Sequence, residues 1–429
     1  MKLAIIADDL TGANDSGVQL AKYGLKTSVF LGLDKDAVMT SEAVVFDTNS
    51  RSITKLDAYN KVKAVTEFFT NQGFNYIYKK IDSTMRGNIA SEIEAFHDVV
   101  KTDFVFIVPG YPKNGRTVIN GHHYLNGTRL NETEIAHDPK TPVTESHIPT
   151  LIGTEIHKEV GLIGLDTIRN EEKDLKKRLE KYEEMNISYI VVDSETEGDL
   201  ESILRLTKAL DYTIAWVGSA GLANYLPAYY GMKERNQVLK IPQHHDPILT
   251  VVGSVNVNSR KQLNLLLQEP NIVGIEMTSY YAVMDQEKRK LEMSSVFSQA
   301  MEAAKKGFDV VIYTSGNPKD IEYARKVGES KGFNHTETSN EIVNMLGGII
   351  SVLIEEKIFK GIVMTGGDTA KQVCELWDVK GFHLYDELET GVPISSFIGI
   401  DDIFVITKAG GFGKETVFID AIKKLKGDF

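Results

Sequence analysis

A single cysteine, Cys374, occurs in a chain of 429 residues. No disulfide can form within the chain, which excludes a small secreted scaffold held together by bridges. Cys374 lies in helix-like sequence and reads as a small buried apolar residue. No apolar run approaches the ~20 residues that span a bilayer. The first apolar run is cut off by Asp8 and Asp9, too soon for a signal peptide, so the cytoplasm is the expected location. Positive charge is also in short supply. There are 48 Lys and Arg against 60 Asp and Glu, a formal net charge of −12. This argues against nucleic acid and anionic membrane as partners, but a small anionic substrate needs only a local cluster of cations and helix N-termini. Short repeats and low-complexity segments are absent as well. With 42% hydrophobic and 25% charged residues, the chain has the composition of an ordinary soluble globular protein. Its length exceeds what one core usually supports, so two domains are expected.

The N-terminal half alternates short apolar runs with amphipathic segments. Residues 3–7, 27–31, 43–46, 76–79 and 104–108 read as buried strands, with 187–192 and 213–217 further on. Residues 14–23, 55–71 and 89–100 read as helices. Residues 233–247 are polar and contain two prolines, and the domain linker is placed there. The expected domains are 1–236 and 245–429. Beyond the linker the alternation resumes, with strands at 248–252, 272–276, 310–314, 361–365 and 403–407. Helices are expected at 258–268, 296–306, 340–356, 370–377 and 414–426. The expected fold is α/β: two domains, each built on a mainly parallel sheet flanked by helices, with the active site in the crevice between them. Residues 110–150 resist the scheme. They are rich in Gly, Asn, Pro, Thr and His and read as a long site-forming loop.

In open parallel sheets, ligands bind beyond the carboxyl ends of strands, and polar clusters stand at several such ends. The first strand runs into Asp8-Asp9-Leu10-Thr11-Gly12-Ala13-Asn14-Asp15. Adjacent carboxylates there can orient a hydroxyl, accept its proton or hold a divalent cation. The plainer reading is that Asp8, Asp9 or Asp15 caps the following helix. A second cluster is Lys79-Lys80-Ile81-Asp82-Ser83-Thr84-Met85-Arg86. Lys80, Arg86 and the hydroxyls of Ser83 and Thr84 suit a carboxylate or phosphate, while Asp82 would be ionised among cations. The alternative is a solvated charged turn. Arg51 follows another strand end and could join the same anion site. In the C-terminal half, Gly253-Ser254-Val255-Asn256, Gly366-Gly367-Asp368-Thr369 and Ala409-Gly410-Gly411-Phe412-Gly413 each follow a strand. Such loops, leading into helix N-termini, aim backbone N–H groups at a phosphate chain. None is a Walker P-loop, since Gly413-Lys414-Glu415 lacks the magnesium-binding hydroxyl. The pairs His122-His123 and His244-His245 lack metal-ligand spacing and read as solvated loop histidines.

Together these blocks resemble the four-carbon acid sugar kinases. Its carriers are residues 7–15, 79–87, Pro109-Gly-Tyr-Pro-Lys-Asn-Gly-Arg116, Gly218-Ser-Ala-Gly-Leu-Ala223, Gly253-Ser254, 365–369 and 410–413. The resemblance implies an acid-sugar-binding N-terminal domain and an ATP-binding C-terminal domain. The implied reaction is phosphoryl transfer, with Mg²⁺, to the C4 hydroxyl of D-threonate, D-erythronate or a 3-oxo-tetronate. Carried over by position, Ser254, Gly366, Gly367, Asp368, Thr369 and Gly410 would contact ATP, and Gly413 belongs to the same loop. The family often has Ser-Gly-Asn-Phe-Gly where this chain has Ala409 to Gly413. That change spares a backbone cradle but puts a side-chain contact in doubt. Residues 13–19 look closer to the threonate and erythronate kinases than to the 3-oxo-tetronate branch. On this reading Arg86, Lys80 and Arg51 anchor the substrate carboxylate, and Asp9, ahead of Asp82, handles the hydroxyl proton. A homodimer is compatible with the sequence. Two rival readings are a metal-dependent carbohydrate deacetylase using Asp9 with histidines such as His122, and a non-catalytic sugar-acid-binding protein.

Overall fold

A computed structural model describes the whole chain except residues 1, 139–140, 171, 236–238, 401 and 429, and the side chains of 172–173. The chain divides into two compact units, Met1–Gln237 and Val238–Phe429. The division falls within the polar segment 233–247, of which residues 236–238 lie outside the described residues.

The first unit contains strands β1 (Leu3–Ala7), β2 (Thr27–Phe30), β3 (Ala43–Asp47), β4 (Tyr76–Lys80) and β5 (Phe104–Val108). After them come β6 (Arg116–Ile119), β7 (His122–Leu125), β8 (Thr128–Arg129), β9 (Val160–Ile163), β10 (Tyr189–Val192) and β11 (Ile214–Gly218). Eight of them form a parallel sheet in the order β2-β3-β1-β4-β11-β5-β10-β9. β1 and β5 are buried at every position, which is why they read as unbroken apolar runs rather than alternating ones. Strand order turns at β1, which has β3 on one side and β4 on the other. Ala7 lies opposite Asp47 in β3 and Lys80 in β4. Three strand ends and the loops that follow them are therefore side by side.

Residues 110–150 are not one unpatterned loop. Among them are the antiparallel sheet β6-β7-β8 and short 3-10 turns. The three strands are two to four residues long, too short for a visible alternation. His122 and His123 lie on β7 rather than in a solvated loop, and His123 is fully buried.

The second unit contains β12 (Ile248–Val252), β13 (Ile272–Met277), β14 (Asp309–Thr314), β15 (Gly361–Thr365), β16 (Gly381–Glu389), β17 (Val392–Phe397) and β18 (Phe404–Lys408). They run in the order β13-β14-β12-β15-β18-β17-β16. The first five are mutually parallel, and β17 is antiparallel to both β18 and β16. The hairpin β16–β17 was missing from the sequence reading because Asp386, Glu387 and Glu389 interrupt its apolar pattern. Val252 pairs with Thr365, and Thr365 pairs with Lys408. The ends of β12, β15 and β18 thus also stand in a row. The final helix starts at Val417 rather than at 414. Its apolar face, Val417, Phe418, Ala421 and Leu425, packs in a core with Ile248, Val252, Val363 and Ile406. Full burial of each large aliphatic or aromatic side chain contributes about 1.5–3 kcal/mol. Cys374 is buried, as its setting suggested.

Candidate active site

At the row of strand ends in the first unit, Asp8, Asp9, Arg51, Lys80, Asp82 and Arg86 come together. Arg51 is the hub. Its Nε donates to Asp8 Oδ2 at 2.6 Å, its Nη2 donates to Asp9 Oδ1 at 2.7 Å, and Nη2 lies 3.6 Å from Asp82 Oδ1. Arg86 Nε donates to Asp82 Oδ2 at 2.7 Å, and Arg86 Nη1 to Asp138 Oδ2 at 3.3 Å. Lys80 Nζ stands 3.9 Å from Asp8 Oδ1. The cations singled out as substrate anchors are thus also the partners of the acidic cluster. Thr84, not Ser83, donates its hydroxyl to Asp82, at 2.6 Å. Ser83 sits half-buried in the same turn, and among the described residues its hydroxyl takes no hydrogen bond.

The plainer reading holds for Asp9. It is the N-cap of the helix Leu10–Lys22, and its side chain accepts from Gly12 N at 2.9 Å. Capping and ion pairing engage the same oxygen, Oδ1.

The three aspartates differ electrostatically. Burial alone would raise Asp8, but Arg51 and then Lys80 outweigh it and hold Asp8 below its ordinary value. Burial is likewise outweighed at Asp82, by Arg51 and Arg86, and its carboxyl is held far below the usual carboxylate range. At Asp9 burial wins. Arg51 offsets only part of it, the Asp8 charge adds to it, and Asp9 is raised. Asp9 is also the most exposed of the three side chains, 22% against 10% for Asp82 and 1% for Asp8. Of the two candidate bases, Asp9 is the better proton acceptor.

Beneath this cluster Lys79 and Glu92 form a fully buried ion pair at 2.7 Å. Ser50 donates to Glu92 at 2.7 Å, and Lys79 donates to the carbonyl of Lys80 at 2.8 Å. The sequence singles out Lys80 for the site and gives no sign that its neighbour Lys79 is a buried structural lysine. Arg116, named only as part of a motif, is a half-buried guanidinium that donates to the Asn114 carbonyl and has no carboxylate partner among the described residues. A cavity of ≈ 480 Å³ adjoins the cluster through Arg51, with Thr141, Val143 and Glu145 of the 110–150 segment in its wall.

In the second unit, Ser254, Gly366 to Thr369, Gly410 and Gly413 lie on the loops that follow β12, β15 and β18. Gly366 has φ 103°, a conformation that favours glycine, and is the N-cap of the helix Gly367–Leu376 without any side-chain cap. A helix N-terminus without a side-chain cap is the kind of end that suits an anionic ligand. At Gly410 an added Cβ would stand 2.5 Å from Ser254 Oγ and 3.0 Å from Asn256 Cβ, so a larger residue would have to displace the first loop's side chains. Ser259 donates to the Gly410 carbonyl at 2.8 Å. Asn258 and Gln262 donate to the carbonyls of Gly411, Phe412, Gly413 and Lys414 at 2.9–3.3 Å. The third loop is held by its carbonyls and needs no side chain of its own for that purpose. Lys408, the last residue of β18, was missed because it directly follows the apolar stretch read as a strand.

Among the described residues no group of three or more His, Cys, Asp or Glu could hold a metal ion. No described helix is long and apolar enough to cross a membrane.

Charged residues thus gather at the strand ends of one α/β unit, and glycine-containing loops stand at the strand ends of the other. A sugar-binding N-terminal domain model matches residues 3–226, and a nucleotide-binding C-terminal domain model matches residues 249–418. The chain is 31% identical to a D-threonate kinase of Salmonella typhimurium, over 98% of both chains. It is 30% identical to a D-threonate kinase of Bordetella bronchiseptica, over 99% of this chain and 97% of that one. A D-erythronate kinase of Heliobacterium modesticaldum is 26% identical, over 96% of this chain and 94% of that one. A solved Salmonella typhimurium structure shares the fold with a TM-score of 0.82 at 23% identity, over 99% of each chain. The chain belongs to the four-carbon acid sugar kinase family.

Proposed function

We propose that this protein is an ATP-dependent kinase that phosphorylates the C4 hydroxyl of a four-carbon acid sugar, D-threonate or D-erythronate. The carrying observation is the Asp8–Asp9–Arg51–Asp82–Arg86 cluster at the ends of β1, β3 and β4, in which one carboxylate, Asp9, is pushed toward proton acceptance. The likeness to D-threonate kinases at 31% and 30% identity supports the choice of acid.

In this reading Arg86 leads in holding the substrate carboxylate. It has the most exposed side chain of the three cations, 29% against 16% for Arg51 and 4% for Lys80. Lys80 and Arg51 add charge from behind. Asp9 accepts or orients the proton of the acceptor hydroxyl. Asp82, kept ionised by Arg51 and Arg86, orients Arg86 rather than taking a proton. The uncapped N-terminus of the helix after Gly366 and the close approach of Gly410 to Ser254 fit a phosphate chain, so the C-terminal loops take ATP through Ser254, Gly366 to Thr369, Gly410 and Gly413. Mg²⁺ bound with the nucleotide would neutralise charge on the phosphate oxygens.

The test is coupled ADP release with purified protein, ATP and Mg²⁺, against D-threonate, D-erythronate and L-threonate in parallel. Turnover that depends on one of these acids is expected. ATP binding without turnover on any of them would redirect the reading to 3-oxo-tetronates, and failure to bind ATP would overturn it.

A further inference from the structure

Lys408 is 4% exposed and lies at the end of β18. Its ammonium donates to Ser259 Oγ, Thr365 Oγ1 and the Gly410 carbonyl, each at 3.3 Å. These acceptors belong to the helix behind the first loop, to the strand end before the second, and to the third loop. The ammonium also lies 5.4 Å from the ring centroid of Phe418. All these partners are neutral. Among the described residues no carboxylate lies within ion-pair distance, and Glu389 of β16 attracts the ammonium only from further away.

A buried charge normally requires an opposite charge beside it. Gly366, whose N–H donates to the Lys408 carbonyl at 3.1 Å, begins a helix that has no side-chain cap, and a helix N-terminus is itself positive. Desolvation accordingly holds the ammonium down to about 8, with Glu389 opposing. An anion is the kind of group that would offset this charge.

We propose that Lys408 supplies the positive charge beneath the three nucleotide loops, and that binding of the nucleotide's phosphate chain draws a proton onto it. This rests on the C-terminal unit being the nucleotide site. Lys408 acts through the loops it holds, as a positioning and electrostatic residue. The sign follows from linkage: an anion favours the charged lysine, so binding is strongest with the lysine protonated and weakens as pH rises through about 8.

The experiment is titration calorimetry of the full chain with ATP and Mg²⁺, without sugar acid, in buffers of different ionisation enthalpy between about pH 7 and 9. Phosphate second ionisations, near pKa 6, are complete there. Near pH 8 the wild type is expected to take up about half a proton per nucleotide. Lys408→Met should weaken ATP binding roughly 10- to 100-fold, the scale of losing one charge several ångströms from the phosphates at an effective dielectric of about 20, and abolish the uptake. Lys408→Arg keeps a fixed charge and should bind with little pH dependence. Nucleotide binding by the wild type without proton uptake, a measurement that needs no variant, would overturn the inference and leave the kinase reading standing. The same uptake in Lys408→Arg as in the wild type would also overturn it. Absence of any ATP binding by the wild type would overturn the kinase reading itself.

Discussion

Asp9 has three tasks: it caps the helix Leu10–Lys22, it pairs with Arg51, and in the proposed reaction it handles a proton. The first two need an oxygen acceptor, which the amide of asparagine retains, without the charge of the ion pair. The third needs a basic group, which asparagine lacks. Asp9→Asn should therefore fold like the wild type and lower kcat by roughly 10²–10⁴-fold. The pH profile gives a second check. Because Asp9 is raised and Asp82 depressed, the base is lost as pH falls through a value above the ordinary aspartate range, and kcat should fall there. An acid limb below that range, or near-normal turnover by Asp9→Asn, would take the role away from Asp9. Both aspartates were legible in the sequence, but the difference between them was not. Burial raises both and Arg51 lowers both; the difference arises from Arg86, which pairs with Asp82, and from the neighbouring charge of Asp8, which raises Asp9.

Strand β4 and the helix Ile89–Val100 are joined by the pair Lys79–Glu92, with both side chains 0% exposed. Lys79 lies one residue before the candidate site residue Lys80, yet its side chain points into the protein. Alternation along a strand sends neighbours to opposite faces, so two adjacent lysines can serve packing and function separately. Removing one partner leaves an uncompensated buried charge. Lys79→Met should cost about 3–5 kcal/mol of stability, read as a lowered denaturation midpoint in urea. An unchanged midpoint would show that the pair is dispensable. The same scale explains why residues 110–150 read as an unpatterned loop: strands of two to four residues with polar faces carry no detectable period.

At the scale of the whole molecule, the two units have separable binding duties in the proposed reaction. Arg86→Ala removes a charge-assisted contact worth about 1.5–3 kcal/mol, or roughly 10- to 100-fold. It should raise KM for the sugar acid by that factor and leave KM for ATP within about twofold. Equal effects on both would reject Arg86 as the carboxylate anchor. The alternation of apolar runs and amphipathic segments was enough to anticipate two α/β units with mainly parallel sheets, because backbone periodicity and burial are local properties of sequence. The candidate residues, too, announced themselves as polar groups directly after apolar runs. Which of them meet was decided by strand order, since β3, β1 and β4 become neighbours only in the sheet. The raised proton affinity of Asp9 and the buried ammonium of Lys408 were decided in the same way, because desolvation and Coulomb interactions depend on distances through space that the linear sequence does not contain.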